Sequence, residues 1–256
     1  MNKIKICIGA LVLLLFTIAA CDKLDALQDR GVVEEGAGIK VMHLSPDAPT
    51  FNIMVDSLRA VTALASTTGT ETGLVFGNIF PNLAGGYALV PGGGHTVSAK
   101  VSSTSATMPG QTIVTKPTTL DNGKFYTIAI VDSLSRLDAV IVEDDRNVAD
   151  TSKAYFRIAN FMLRGTADVE FIGSSGGYNF MKNGISFKTV SNFDTLTPSP
   201  ASYKVLLRSN GTATRLDSVT LTPLKGRKYT LYTRGVVGQT GSTNTRRPLI
   251  FSTITF

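Results

Sequence analysis

The chain has no tryptophan, and its 256 residues include only two cysteines and two histidines. Two cysteines, Cys7 and Cys21, cannot build a thiolate zinc site or a disulfide framework, and two histidines cannot supply a three-histidine metal site. Charged residues make up only 17% of the chain, which excludes a coiled coil and a charge-rich disordered chain. Hydrophobic residues are plentiful at 43%, and 24 glycines and 10 prolines divide the chain into short segments.

The first twenty residues have the pattern of an export signal. Lys3 and Lys5 precede fifteen residues without a charge, 6–20. At ~1.5 Å per residue this run spans roughly 22 Å, short of a ~30 Å hydrocarbon core. The pattern therefore favours a cleaved signal peptide over a membrane span.

The signal ends in Ala19-Ala20-Cys21, which resembles the lipobox of bacterial lipoproteins. The resemblance implies cleavage before Cys21, acylation of that cysteine, and removal of Cys7 with the signal. The alternative is a plain secretory signal with an unrelated cysteine. We expect an exported protein that is lipid-anchored in the cell envelope, at the outer membrane, with a flexible tether over residues 21–38. Whether it faces the periplasm or the cell surface stays open.

Beyond the tether, short segments rich in Val, Ile, Thr, Tyr and Phe alternate with turn clusters. They predict strands at residues 40–44, 51–55, 74–80, 96–101, 126–131, 139–142, 155–158, 169–172, 203–207, 218–221, 229–232 and 249–254. After the signal, no segment has a helical apolar stripe with caps at both ends. The sequence therefore predicts an all-β fold of antiparallel sandwiches.

The predicted strands form two similar halves. The matching segments are 40–43 with 157–160, 52–55 with 168–171, 95–97 with 203–205, and 123–128 with 226–231, at offsets of 117, 116, 108 and 103 residues. A drifting but ordered offset indicates one duplicated domain of about a hundred residues, the length of an immunoglobulin-like sandwich. We predict two such domains in tandem, at 39–147 and 148–256.

The opening of the first half carries a distinctive motif. It reads Val-Met-His-Leu-Ser-Pro-Asp-Ala-Pro at residues 41–49, followed by Asn-Ile-Met-Val-Asp at residues 52–56. It resembles the signature of domain-of-unknown-function family 4397, found in bacterial surface proteins, over roughly residues 39–145. The resemblance implies an immunoglobulin-like fold, often in tandem, and brings no established catalytic residues.

Two clusters could carry chemistry. His43, Ser45 and Asp47 combine the residue types of a catalytic triad, but the prolines between and after them favour a rigid turn in which Asp47 bonds backbone amides. The acidic run at 143–145 could bind Ca²⁺ through carboxylate oxygens, but it lacks the spacing of a dedicated calcium loop. A solvated strand end at the domain boundary is the simpler interpretation.

Charge is distributed unevenly between the halves. Residues 39–147 hold seven basic and nine acidic side chains, whereas residues 148–256 hold fourteen basic and five acidic ones. The basic residues that cluster are Lys225, Arg227, Lys228, Arg234, Arg246 and Arg247. They form a candidate patch for an anionic partner, such as an acidic glycan; the alternative is an ordinary solvated surface.

Four short motifs combine an aspartate, a hydroxyl residue and an aliphatic residue. Their hydroxyl residues are Ser57, Ser133, Thr195 and Ser218. The motifs resemble the O-glycosylation acceptor of Bacteroidetes-type exported proteins, and the alternative is turn formation by the aspartates.

We expect a non-catalytic envelope protein that binds or scaffolds through tandem domains, without a metal or a cofactor. The alternative is a glycan-binding accessory lipoprotein of a nutrient-uptake system, or an adhesin. Sugar platforms rely on stacked aromatic rings, and Tyr87, Tyr178 and Tyr203 could replace the missing tryptophan. The expected partners are the membrane, through acylated Cys21, and an anionic glycan or another envelope protein. Nucleic acid is not expected, because the chain lacks a module of interleaved aromatic and basic residues.

Overall fold

Two β-sandwiches make up the part of the chain that can be described. The structure is a computed structural model that describes residues 35–61, 68, 70–174 and 176–256. The predicted signal at 1–20, Cys21 and most of the predicted tether lie outside the described residues. The first strand begins at Ala37, so the last two residues assigned to the tether belong to the fold.

The first sandwich contains β1 (Ala37–His43), β2 (Phe51–Val55), β3 (Leu58–Val61), β4 (Ile79–Phe80), β5 (Ala88–Val90), β6 (Gly93–Val101), β7 (Thr112–Leu120), β8 (Phe125–Val131) and β9 (Asp138–Glu143). Its inner sheet has the order β4-β1-β8-β9, with β5 also paired to β1, and its outer sheet has the order β3-β2-β6-β7. A short 3-10 turn, Leu134–Arg136, lies between β8 and β9.

The second sandwich contains β10 (Ala154–Asn160), β11 (Ala167–Ser174), β12 (Phe180–Ile185), β13 (Thr189–Val190), β14 (Asp194–Leu196), β15 (Ser202–Ser209), β16 (Arg215–Leu221), β17 (Lys228–Arg234) and β18 (Leu249–Ile254). Its inner sheet has the order β13-β10-β17-β18, with β14 also paired to β10, and its outer sheet has the order β12-β11-β15-β16. The predicted all-β fold of two sandwiches is confirmed.

The strand register of the two inner sheets follows the offsets of the predicted repeat. In the first inner sheet β1 runs parallel to β8, with Lys40 opposite Thr127; in the second, β10 runs parallel to β17, with Arg157 opposite Thr230. These pairs preserve the offsets of 117 and 103 residues that the sequence gives for the same strands. The parallel pairs are possible because a long connection through the outer sheet separates their strands; the other strand pairs are antiparallel.

Each sandwich has its own apolar core. Alternate residues of a strand point to opposite faces of its sheet, so Ile39 and Val41 of β1 pack toward the outer sheet, as do Ile128 and Ile130 of β8. The second core repeats this arrangement, with residues such as Phe156, Ile158, Phe171, Tyr203 and Leu231. Each fully buried side chain of this size contributes about 1.5–3 kcal/mol relative to its exposed state.

The sequence prediction omits six strands of the described residues: β3, β5, β7, β12, β13 and β14. In β7, Pro117 lies opposite Thr96. Proline lacks an N–H donor and is tolerated because β7 is the edge strand of the outer sheet. The predicted strand at 74–80 is also too long: only Ile79–Phe80 is a strand, and Leu74 forms an isolated bridge with Phe51.

Candidate functional site

The two inner sheets pack against each other through the faces that point away from the sandwich cores. Met42 of β1 and Ala129 of β8 face Ala159 of β10 and Tyr232 of β17 across an apolar cluster. The ring of Tyr232 stacks on Phe161, with ring centroids 6.1 Å apart. The inner strands are therefore buried on both faces, and the sandwiches share a third core.

Beside this third core lies a buried group of ions built from equivalent positions of the two halves. Lys40 of β1 and Arg157 of β10 occupy matching places in the repeat, and they are 2% and 5% exposed. Lys40 Nζ donates to the carbonyl oxygen of Ile254 at 3.2 Å, and Arg157 Nη1 donates to that of Glu143 at 3.0 Å. Lys40 of the first sandwich thus bonds to β18 of the second, and Arg157 of the second bonds to β9 of the first.

Aromatic rings complete the surroundings of both cations. Lys40 Nζ lies 4.4 Å from the ring centroid of Tyr87, and the guanidinium of Arg157 lies 4.8 Å from that of Phe193. Burial lowers the pKa of Lys40; the Asp144 carboxylate opposes this effect, and the charge of Arg157 adds to it. The electron-rich ring faces attract both cations away from water.

Asp144 supplies a carboxylate to this ion group. It accepts hydrogen bonds from Arg157 Nη2, from the Tyr87 hydroxyl at 2.7 Å and from the Thr127 hydroxyl at 2.6 Å. Burial and the adjacent carboxylate raise the pKa of Tyr87 and raise that of Tyr232 to about 12. Both phenols therefore stay protonated, and the Tyr87 hydroxyl serves as a donor to Asp144.

The acidic run at 143–145 is fully engaged with cations. The pairs are Glu143–Lys124 at 3.2 Å, Asp144–Arg157, and Asp145–Lys228 at 2.7 Å. Within the described residues, no group of three or more His, Cys, Asp and Glu side chains is placed to hold a metal ion. The expectation of a solvated strand end is wrong for Asp144, which is 2% exposed.

Ion pairs between the sandwiches also explain part of the charge asymmetry. Lys188 of the second sandwich contacts Asp132 at 3.0 Å and Asp138 at 3.2 Å, both in the first. Burial would raise the pKa values of Asp132 and Asp138, but the bonds to Lys188, and for Asp132 also to the Ser133 amide, hold them below the usual range. Cations of the basic half therefore pair with acids of the acidic half.

The predicted basic patch does not come together as one surface. Lys228 is buried and paired with Asp145, so its assignment to an exposed patch is wrong. Arg234 lies over the ring of Phe76 at 4.9 Å, and Arg247 pairs with Asp217 at 3.3 Å. The exposed members, Lys225, Arg227 and Arg246, lie at the two ends of β17.

The candidate glycosylation residues differ in accessibility. Ser57 is exposed in the turn between β2 and β3, whereas Ser133, Thr195 of β14 and Ser218 of β16 are half-buried. All four motif aspartates accept a backbone amide: Asp132 and Asp194 accept from the next residue, Asp56 from Thr96, and Asp217 from Ile250. Asp56 and Asp132 follow strands and have a positive φ, as in turns, whereas Asp194 and Asp217 belong to strands, so the turn alternative fits two of the four motifs. Glycosylation stays a prediction best suited to Ser57.

The cluster at His43 is not a triad. The Nε2–H of His43 donates to the carbonyl oxygen of Pro49 at 3.2 Å and not to Ser45. Asp47 accepts the backbone amide of Leu134 at 2.9 Å. Burial lowers the pKa of His43 to about 4, so the imidazole is neutral. The proline-containing run is the rigid turn that the sequence favours.

The tyrosines proposed as a sugar platform are only partly available. Tyr203 is fully buried in the second core, and the hydroxyl of Tyr87 is bound to Asp144. Tyr178 is 47% exposed, and its hydroxyl donates to the carbonyl oxygen of Thr195 at 2.9 Å. One exposed ring does not make a stacking platform.

Sequence reasoning did not identify the buried ion group, although the signal was present. Lys40 and Arg157 are charged residues inside otherwise apolar strands, and the repeat aligns them. A charge at such a position is stable only when it is paired. Two aligned charges of this kind indicate that both strands face a polar partner.

These features define an all-β protein whose two sandwiches are fused through a mixed apolar and ionic interface. The chain belongs to the family described as "Domain of unknown function (DUF4397)", whose sequence model matches residues 37–170. The match extends past the first sandwich and includes β10, the strand that carries Arg157. No curated protein matches the chain in sequence. In the described part of the chain, no helix is long and apolar enough to cross a membrane.

Proposed function

We propose that the chain is a non-catalytic, lipid-anchored protein of the cell envelope that binds or scaffolds through its two sandwiches. The observation that carries this proposal is the interface between the inner sheets, with its third core and its buried ion group. An interface of this kind resists bending between the sandwiches, because movement would expose apolar surface and separate buried charges. A rigid pair of domains suits a protein that holds a binding surface at a fixed orientation.

Anchoring rests on the sequence around Cys21. Acyl chains contribute about 0.8 kcal/mol per buried CH₂, so a multiply acylated cysteine holds a protein on a membrane without a spanning helix. The proposed domains, 39–147 and 148–256, meet within the connection between β9 and β10. The anchor would thus precede a folded unit that begins at β1.

Membrane fractionation tests the anchor. The wild-type protein should pellet with the envelope after a high-salt wash, and Cys21→Ser should move it to the soluble fraction. Cys7→Ser is the matched control, because Cys7 lies within the predicted signal; this variant should pellet like the wild type. If Cys21→Ser still pellets after the wash, the lipoprotein assignment is wrong.

The alternative function is a glycan-binding accessory lipoprotein or an adhesin. The aromatic platform that would favour it is largely missing, since Tyr87 and Tyr203 are engaged within the fold. A polar cleft at the junction of the sandwiches supports it instead.

A further inference from the structure

A cleft of about 350 Å³ opens where the chain leaves β9 for the second sandwich. Its walls include Lys124, Glu143, Asp145 and Arg146 from the first half and Phe256 from the second. Its volume falls within the ~300–1,000 Å³ range of small-molecule sites, which often lie between domains. The cleft combines charged groups of both signs with two aromatic rings.

Arg146 lies against two aromatic rings of this cleft. Its guanidinium lies 4.0 Å from the ring centroid of Phe125 and 4.9 Å from that of Phe256. Its Nε is buried and has no hydrogen-bond partner. Within the described residues, no acceptor or carboxylate pairs with its terminal nitrogens either. Contact with both rings restricts the guanidinium before any ligand arrives.

The neighbouring acids leave Arg146 as the unpaired charge of this segment. Glu143, Asp144 and Asp145 each have a cation partner. Arg146, the next residue, has no carboxylate partner in the described part of the chain. Glu143 and Asp145 are about half exposed, so their oxygens can also accept hydrogen bonds from a ligand. Among the described residues, Arg146 is thus the cation of the cleft without an acid partner, and it lies beside several acceptors for hydroxyl groups.

We propose that this cleft binds a uronic acid unit of an acidic glycan, and this inference rests on the alternative form of the proposed function. The sugar carboxylate would bind end-on to the Arg146 guanidinium, and the sugar hydroxyls would donate to Glu143 and Asp145. A guanidinium group binds a carboxylate in a bidentate manner, through two parallel hydrogen bonds. A phosphate dianion fits less well, because one unpaired cation balances one negative charge and not two.

A titration of the full-length Cys21→Ser chain tests the site. The probes are digalacturonate and the neutral disaccharide galactobiose. Binding is measured by calorimetry and by the NMR signal of the Arg146 Nε–H group. Digalacturonate should shift that signal and bind about tenfold or more tightly than galactobiose, because only the acid offers a carboxylate to the Arg146 guanidinium. Binding should weaken as salt rises, since the contact is reached by solvent.

Variants separate the guanidinium from general charge. Arg146→Gln should weaken digalacturonate binding about tenfold or more, and Arg146→Lys should recover only part of it, because an ammonium lacks the planar fork. Arg136→Gln is the matched control: Arg136 is an exposed arginine in the turn beyond the far end of β8, and its loss should leave binding unchanged.

Three results would overturn the inference. They are equal binding of the acidic and neutral disaccharides, unchanged binding by Arg146→Gln, and a larger shift of the Arg146 signal with inorganic phosphate than with digalacturonate. Each of these would leave the anchor and the rigid interface untouched, because fractionation and unfolding experiments test those separately.

Discussion

Replacing Arg157 with methionine probes the interface most sharply. Methionine keeps much of the length of the side chain but removes its bonds to Asp144, to the Glu143 carbonyl oxygen and to the Thr230 hydroxyl. Asp144 would stay buried, with only its two hydroxyl donors. Breaking a buried ion pair by removing one partner costs about 3–5 kcal/mol. That loss is a large share of the roughly 5–15 kcal/mol that stabilises a typical domain.

Urea unfolding followed by circular dichroism measures this loss. Lys182→Met is the control, because its pair with Asp194 is 2.6 Å long but lies at the surface, with the two side chains 40% and 49% exposed. An exposed pair contributes about 0–1 kcal/mol. If Arg157→Met destabilises the protein no more than Lys182→Met does, the ion group does not hold the sandwiches together.

The double variant Arg157→Met/Asp144→Asn adds a second check. Removing both charges leaves no uncompensated ion, so it should cost less than the sum of the two single variants. A purely additive result would mean that the two side chains act independently, which would contradict an energetic role for the contact between Arg157 and Asp144.

Two further predictions concern pH and can be checked by urea unfolding across a pH series. Because burial lowers the folded-state pKa of His43 to about 4, against about 6.5 in the unfolded chain, stability should fall by about 3 kcal/mol between pH 6.5 and pH 4. His43→Asn, which copies Asn160 at the equivalent position, should remove that slope, and an unchanged slope would contradict the assignment. For Asp132 and Asp138 the folded-state pKa values are lowered, so their stabilising effect should be complete above about pH 4 and be lost in more acidic solution. Lys188→Met should reduce this acid-induced loss, and a variant with the wild-type acid profile would refute the pairing.

The fold was largely predictable because the repeat is carried by local patterns. Residues 40–43 and 157–160 align in sequence, and Lys40 and Arg157 occupy the same register in the structure. Alternating apolar residues and turn clusters are short-range signals, so they survive without knowledge of tertiary contacts. The strand β7 was missed because Pro117 normally argues against a strand, and only the sheet order reveals an edge.

The site was less predictable because it depends on which faces meet. Periodicity places the side chains of Lys40 and Ile39 on opposite faces of β1. It does not show that a second sheet covers the face that carries Lys40. The acidic half supplies the acids of the interface pairs and the basic half supplies the cations, as the net charges suggest. Charge totals, however, do not distinguish pairing within the chain from binding to a partner. Lys228 illustrates the difference: it counts toward the basic half, yet it is buried beside Asp145.

Native-state hydrogen exchange of two equivalent amides tests most directly whether the sandwiches form one unit. Ile128 and Leu231 lie at the centres of β8 and β17, and both are fully buried. If the interface couples the sandwiches, both amides should report the same opening free energy, and Arg157→Met should lower both by the same amount within about 0.5 kcal/mol. Opening free energies that differ by more than about 1 kcal/mol, or a response confined to one sandwich, would contradict the account.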